Sequence, residues 1–278
     1  VPGSLSIVAT PIGNLEDITL RAIRRLREAT LIACEDTRHT RKLLDHLGIA
    51  VRTVSYHEHN ESSRAAELVE AVQRGEHVAL VSDAGTPLLS DPGFRVVRAA
   101  LDAGLPVDVI PGPSALLTAL TGSGMGGGEF YFGGFLPAKR TQRTKTLQGV
   151  CSLDATLVFY EAPHRILETL EDIAVQLPGR PVCAARELTK LHEEWLRGTP
   201  SAVAAVLRKK DAVKGEFTLV LGKAEAVAES ENAEPIEHAV QRAIDAGADR
   251  MAAIKEAARA RGLSKREVYR MLEESRER

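Results

Sequence analysis

Short apolar runs of strand length alternate with amphipathic segments along the first part of the chain. Leu5 to Ala9, Leu31 to Cys34, Val51 to Ser55, Val78 to Val81 and Val107 to Ile110 read as strands. Apolar residues at helical spacing place helices at about Thr19 to Glu28, Thr37 to Leu47, Ser62 to Arg74 and Phe94 to Ala103. Such alternation predicts a mostly parallel sheet with crossover helices. After a helix from Ser114 to Thr121 the rhythm pauses at Gly122 to Glu129. It resumes with Phe130 to Phe132, Thr156 to Tyr160, Val182 to Arg186, Trp195 to Arg197 and Thr218 to Leu221. The third and fourth of these strands lie too close for a helix between them, which predicts antiparallel pairing.

The pause marks an expected domain boundary. The expected organisation is an α/β domain over 1–121, a second over 122–224, an acidic linker over 225–237 and a helical tail over 238–278. In the tail, Ala252 to Arg261, the turn Gly262-Leu263-Ser264, and Ser264 to Glu274 have a helix-turn-helix pattern, with Ser264 as N-cap and Glu267 as its capping-box partner. Gly122, Gly124 and Gly127 satisfy the spacing of a dinucleotide fingerprint. Their context is wrong, because a helix precedes them and a strand follows, so a flexible hinge is expected instead.

The loop after the fourth strand carries the densest chemistry. Ser82, Asp83, Thr86, Ser90 and Asp91 are set among Gly85, Pro87, Pro92 and Gly93. At the carboxyl edge of a parallel sheet such a loop points backbone N–H groups and short polar side chains into a crevice, where ligands bind. An Asx-turn or N-cap role explains Asp83 or Asp91 individually. Comparable loops follow the first strand, Thr10-Pro11-Ile12-Gly13-Asn14, and the fifth, Pro111-Gly112-Pro113-Ser114-Ala115, whose helix start offers free N–H groups.

Charge narrows the partners. A net charge of −2 gives no global attraction to nucleic acid or membrane, so a polyanion must be held locally. Lys139, Arg140, Arg143 and Lys145 form a stretch with no acid, the best polyanion contact in the chain, although a solvated helix face has the same composition. The tail holds ten Lys and Arg against eight Asp and Glu over 236–278, so a packing bundle and an RNA-binding one stay equally open. Three cysteines, far apart, fit neither a disulfide framework nor a zinc site and point to a reducing cytoplasm. Val109 to Gly128 is free of charge but too rich in Pro and Gly for a membrane span. No signal peptide is recognisable, and Val1-Pro2-Gly3-Ser4 is expected to be a processing remnant.

Three further segments bring acids and bases together: Glu35-Asp36-Thr37-Arg38, Tyr160-Glu161-Ala162-Pro163-His164-Arg165 and Arg186-Glu187-Leu188-Thr189-Lys190. Charged groups at successive strand ends are candidates for a site between domains. His57 and His59 share a strand face without a clear third ligand, so no metal is expected.

Eight stretches in order, VATPIGNLEDITLRA, CEDTRHTRKLL, SYHEHNE, LVSDAGTPLLSDPG, VIPGPSALLTAL, FGGFLPAK, VFYEAPHRI and ARELTKLHEE, resemble the tetrapyrrole methylase family, and within it the branch acting on small-subunit ribosomal RNA. The resemblance implies two α/β domains of the class III methyltransferase type with a cleft between them and a small helical domain after them. It implies S-adenosyl-L-methionine in that cleft, a homodimer, and methyl transfer to the ribose 2′-hydroxyl of a cytidine in the decoding region of 16S ribosomal RNA. Carried onto this sequence, Pro11, Ile12, Gly13, Asp83, Gly85, Thr86, Pro87, Ser114 and Ala115 would line one side of the cofactor. Tyr160, Glu161, Arg186, Glu187 and Thr218 would line the other. A base for the hydroxyl is sought among Asp36, Glu161, His164 and Glu187. Arg38, Lys139, Arg140, Arg143, Lys145, Arg165 and Lys190 are the candidate RNA contacts. A porphyrinoid or diphthamide-precursor substrate, or a non-enzymatic nucleic-acid-binding role, are the competing functions. The glycine-rich stretch Gly122 to Gly128 departs from the branch, which implies a more mobile hinge.

Overall fold

The computed structural model describes residues 3–224, 236–260 and 265–274. The chain forms two compact units, Val1–Glu225 and Ala226–Arg278. The first unit contains both sheets.

Strands β1 (Ser4–Val8), β2 (Leu31–Cys34), β3 (Arg52–Ser55), β4 (His77–Val81) and β5 (Val107–Ile110) form a parallel sheet in the order β3-β2-β4-β1-β5. Helices α1 (Leu20–Glu28), α2 (Thr37–His46), α3 (Glu61–Gln73) and α4 (Phe94–Asp102) make the crossovers. All four residues of β2 are buried because both faces of a crossover-linked parallel sheet are covered. Leu68, Val72, Leu80 and Val96 pack one face; Leu26, Ile32, Leu44 and Val81 pack the other. Side chains start the helices where the sequence places caps: Thr19 accepts from the Ala22 N–H, and Asp36 from the Arg38 N–H.

Helix α5 (Ala115–Ser123) leads out of this sheet. The second sheet follows in the order β6-β7-β10-β8-β9, from β6 (Phe130–Phe135), β7 (Thr156–Glu161), β8 (Val182–Arg186), β9 (Glu194–Gly198) and β10 (Phe217–Leu221). Only β6 and β7 are parallel; β8 and β9 form the expected antiparallel pair, with Ala184 opposite Leu196. β6 runs three residues beyond the expected Phe132, through an irregularity at Gly133-Gly134. Helices α6 (Arg140–Val150), α7 (Ile166–Gln176) and α8 (Pro200–Arg208) cover one face with Leu147, Leu170, Ile173 and Leu207.

The other face of the second sheet receives α5. Leu116 and Ala119, with Ile12 from the loop after β1, pack on Val158, Cys183, Ala185 and Val220. The glycine stretch expected to be a mobile hinge is anchored at its start. The Trp195 ring lies where a Cβ on Gly122 would sit, and Arg197 donates to the Gly122 and Ser123 carbonyls. A Cβ on Gly127 or Gly128 would meet nothing within 4 Å.

In the second unit, α9 (Ile236–Asp245), α10 (Arg250–Ala260) and α11 (Lys265–Glu274) share a small core of Ile236, Val240, Ile254 and Val268. Of the linker expected over 225–237, residues 236 and 237 belong to α9 instead; the rest of it, the turn Gly262-Leu263-Ser264 with its capping box, and the first two residues lie outside the described residues. No helix among the described residues is long and apolar enough to cross a membrane.

One expectation is corrected inside the fold. Arg143 was grouped with a surface patch, but α6 turns it into the protein, where it is fully buried. Its Nε donates to Asp172 of α7 at 2.8 Å and its Nη1 to the Ala138 carbonyl at 3.2 Å. Removing one partner of a buried ion pair leaves the other charge uncompensated. Arg143→Ala is therefore expected to lose about 3–5 kcal/mol in urea unfolding, whereas Lys145→Ala, on the exposed side, changes stability by less than about 0.5 kcal/mol. Equal midpoints for the two variants would contradict this.

Candidate functional site

Three loops at the carboxyl edge of the parallel sheet are held together by hydrogen bonds to backbone carbonyls. The loop after β1 bridges that after β4 through Thr10 N–H to Gly85 O at 2.9 Å and Gly85 N–H to Thr10 O at 3.0 Å. Gly85 reaches this bridge with φ +79°, a conformation that favours a residue without Cβ. Thr86 Oγ1 donates to Pro113 O at 3.1 Å and so ties in the third loop, which starts α5 at Ser114. Opposite them stand the ends of β7, β8 and β10. Between the two edges lies a cavity of about 390 Å³.

Ile12, Asp83, Gly85, Thr86, Ser114, Ala115, Tyr160, Glu161 and Thr218 from the expected cofactor set all line this cavity. Pro11 lines a smaller hollow with His39 and Ser82 instead. Gly13 and Pro87 do not line the cavity. Gly13 packs on the turn after β8, where a Cβ would sit 2.4 Å from Lys190 Cγ and 2.8 Å from Thr189 Oγ1. The same turn crosses to the first sheet: Asn14 N–H donates to Thr189 Oγ1 at 3.0 Å. Arg186 and Glu187 are also absent from the lining. Arg186 is held by Glu194 at 3.2 Å and donates to the Lys214 carbonyl.

Three of the four candidate bases already hold hydrogen-bond partners, and the fourth is exposed. Asp36 caps α2 and is clamped by Arg38, whose hydrogen bonds hold its carboxyl well below the usual range. Glu161 is fully buried and accepts from Thr169 Oγ1 at 2.6 Å, Ala162 N–H at 2.8 Å and Arg165 Nη2 at 2.5 Å. Burial opposes ionisation of Glu187, but Lys190 and the Glu216 N–H outweigh it and lower its pKa. His164 is exposed and outside the lining.

Among the candidate RNA contacts, Lys139, Arg140, Lys145 and Arg38 stand on the surface, Arg140 with its Nε on Asp172 at 2.9 Å. Arg165 is pinned to Glu161, and Lys190 lines the cavity between Glu187 and Glu216, each at 2.9 Å. Among the described residues, no three His, Cys, Asp or Glu side chains gather as a metal site.

The cavity also contains residues absent from the expected set: Leu89, Ser90, Asp91, Phe135, Leu188, Glu216 and Phe217 among them. Asp91 is the consequential one. Burial, then the charges of Glu35 and Asp83, push its carboxyl up to about 7. Glu35 is raised in turn by burial and by Asp83. The backbone carrying Asp91 is strained, with Leu88 at φ +73° and Ser90 at +68°. Glu61 secures it from behind by accepting the Gly93 and Arg95 N–H groups.

The profile of the Tetrapyrrole (Corrin/Porphyrin) Methylases matches residues 4–204. The chain belongs to the tetrapyrrole methylase family. This methylase is 46% identical over 272 residues to a ribosomal RNA small subunit methyltransferase I of Halalkalibacterium halodurans, covering 96% of this chain and 93% of that one. It is 51% identical over 232 residues to that of Micromonospora olivasterospora, covering 83% and 74%. Among solved structures, the methyltransferase CobJ matches at TM-score 0.61 and 21% identity, covering 80% of this chain and 95% of that one. Uroporphyrin-III C-methyl transferase from Thermus thermophilus, complexed with S-adenyl homocysteine, matches at TM-score 0.57 and 22% identity, covering 80% and 98%. These solved structures share the fold of the methylase.

The raised Asp91 has a consequence for stability. Its folded pKa of about 7 lies above its ordinary 3.8, so the folded protein holds the proton more tightly and loses stability as pH rises between those values. Asp91→Asn removes that loss. The variant is expected to be more stable than the parent by about 2–4 kcal/mol at pH 8 and equal to it at pH 3, measured by urea unfolding. A variant less stable at pH 8 would show that Asp91 is not a strained charge.

Proposed function

We propose that the chain is an S-adenosyl-L-methionine-dependent methyltransferase that methylates the ribose 2′-hydroxyl of a cytidine in the decoding region of 16S ribosomal RNA. A cytoplasmic homodimer acting on the small subunit belongs to the same proposal. The observation that carries it is a single cavity walled by both sheets, in a member of the methylase family whose relatives are named for small-subunit ribosomal RNA.

The residues suit this donor. Ile12, Leu89, Leu188 and Phe217 offer apolar surface for flat rings, while Ser114 and Thr218 offer polar groups. Asp83 and Asp91 face the cavity with Glu35 near them, an acidic surrounding that favours a cationic ligand. The cation in the lining, Lys190, is already closed on two glutamates. S-adenosylmethionine, when bound, would supply a methyl group already activated by a positive sulfur.

The protein is then left to align and to exclude water. The Thr10–Gly85 and Thr86–Pro113 bonds fix the three loops before any ligand arrives, so their ordering costs little on binding. Alignment of this kind accounts for roughly 7–11 kcal/mol of a barrier. Outside the cavity, Lys139, Arg140 and Lys145 at the start of α6 give RNA phosphates a place to bind, a feature that a small macrocycle would not need.

Small subunits from cells lacking the activity are expected to accept labelled methyl from the cofactor, with alkali-resistant label in one cytidine. Label in a base would contradict the ribose assignment. The Lys139→Ala, Lys145→Ala double variant is expected to lower kcat/KM about tenfold and reduce its salt dependence by about two phosphate contacts, with kcat nearly unchanged at saturating subunit.

A further inference from the structure

Four carboxylates line the cavity, and three of them are committed. Asp83 Oδ1 accepts the Asp36 N–H at 3.0 Å. Glu161 has its three donors, and Glu216 holds Lys190. Asp91 stands apart. The groups that act on it are Glu35 from the loop after β2, Asp83 from its own loop, and the phenol of Tyr160 on β7; no cation or hydrogen-bond donor of the described residues offsets them.

Its position is fixed from both sheets. Glu61 holds the backbone at Gly93 and Arg95 from the first sheet's side. On the other side Ser90 abuts the irregular strand β6: a Cβ on Gly134 would lie 2.9 Å from Ser90 Oγ. Two left-handed residues persist in this loop because its surroundings over-determine it, an arrangement that clusters at functional sites.

We propose that Asp91 is the catalytic base of the methyl transfer, taking the proton of the attacking hydroxyl through its unpaired carboxylate. This rests on the methyltransferase reading above. The hydroxyl oxygen bonds to the methyl carbon while the carbon–sulfur pair returns to sulfur, and the hydroxyl proton passes to Asp91. One positive charge on sulfur and one negative charge on Asp91 disappear together, so no net charge is created in the step. Before transfer the neighbouring positive sulfur favours the ionised carboxylate, ready to accept. After transfer that support is gone, and the repulsion of Glu35 and Asp83 favours the protonated form.

Two measurements on the full chain test this. In single turnovers on small subunits, Asp91→Asn is expected to slow methyl transfer by about 10²–10⁴-fold, with cofactor affinity changed by less than about tenfold. For the parent, log kcat/KM for the cofactor, which reports the free enzyme, falls with unit slope below about pH 7, and this limb is absent in the variant. The second measurement needs no turnover. Calorimetry at pH 7 in buffers of different ionisation enthalpy is expected to show S-adenosylmethionine releasing up to about half a proton more than the neutral S-adenosylhomocysteine, a difference that Asp91→Asn abolishes. Transfer within tenfold of the parent rate in Asp91→Asn, or equal proton release for the two ligands on the parent, would overturn the assignment. If the parent transfers no methyl to small-subunit RNA, the functional reading fails, and the proton difference alone decides whether Asp91 faces the charged donor.

Discussion

The apolar seam between α5 and the second sheet is the contact on which the site depends. The parallel sheet ends in loops whose backbone groups have no function until something stands opposite them. Leu116 and Ala119 of α5, with Ile12, bring the other wall into place by packing on Val158, Cys183, Ala185 and Val220. Because α5 is capped by Ser114 in the cavity wall and buries one face through Leu116, Ala119 and Ser123, burial of the seam and placement of the wall are one event. Arg197 and Trp195 lock the end of the same helix, so the glycines that follow it do not act as a free joint at Gly122.

Charge is distributed around this seam with a clear asymmetry. The structure pairs Arg38 with Asp36, Arg165 with Glu161, Arg186 with Glu194 and Lys190 with Glu187 and Glu216. What remains on the cavity side is negative. A cationic ligand gains from that surplus, and a carboxyl such as Asp91 is held near the pH at which a base works best. The cost is borne by strained backbone at Leu88 and Ser90 and by repulsion among Glu35, Asp83 and Asp91. Natural proteins tolerate such local losses where function requires them.

Much of this was legible in the order of residues. Strand runs ending in Pro and Gly located the three loops, since only a few residue types permit those turns, and nine of the residues drawn from them and from the opposite strand ends line the cavity. The bases were not legible. Asp36, Glu161 and Glu187 look as promising as Asp91 in a string of letters; what separates them is which donor each one meets, and those donors come from elements tens of residues away, as Thr169 does for Glu161 or Glu216 for Glu187. Arg143 was misplaced for the same reason. Its stretch reads as uniformly basic, but its partner Asp172 sits on a different helix and draws it inside.

Both sheets build one cavity, and a ligand gripped there depends on the contact between them. Gly13 offers the most direct test, because it lies on the crossing contact with Thr189 and Lys190 rather than in either core. Calorimetric binding of S-adenosylmethionine to Gly13→Val, where the added carbons must push the turn after β8 away, is the measurement. Affinity is expected to fall at least about tenfold, a loss of about 1.4 kcal/mol, in a variant that still unfolds cooperatively. Undiminished affinity in the folded variant would contradict a site shared between the sheets.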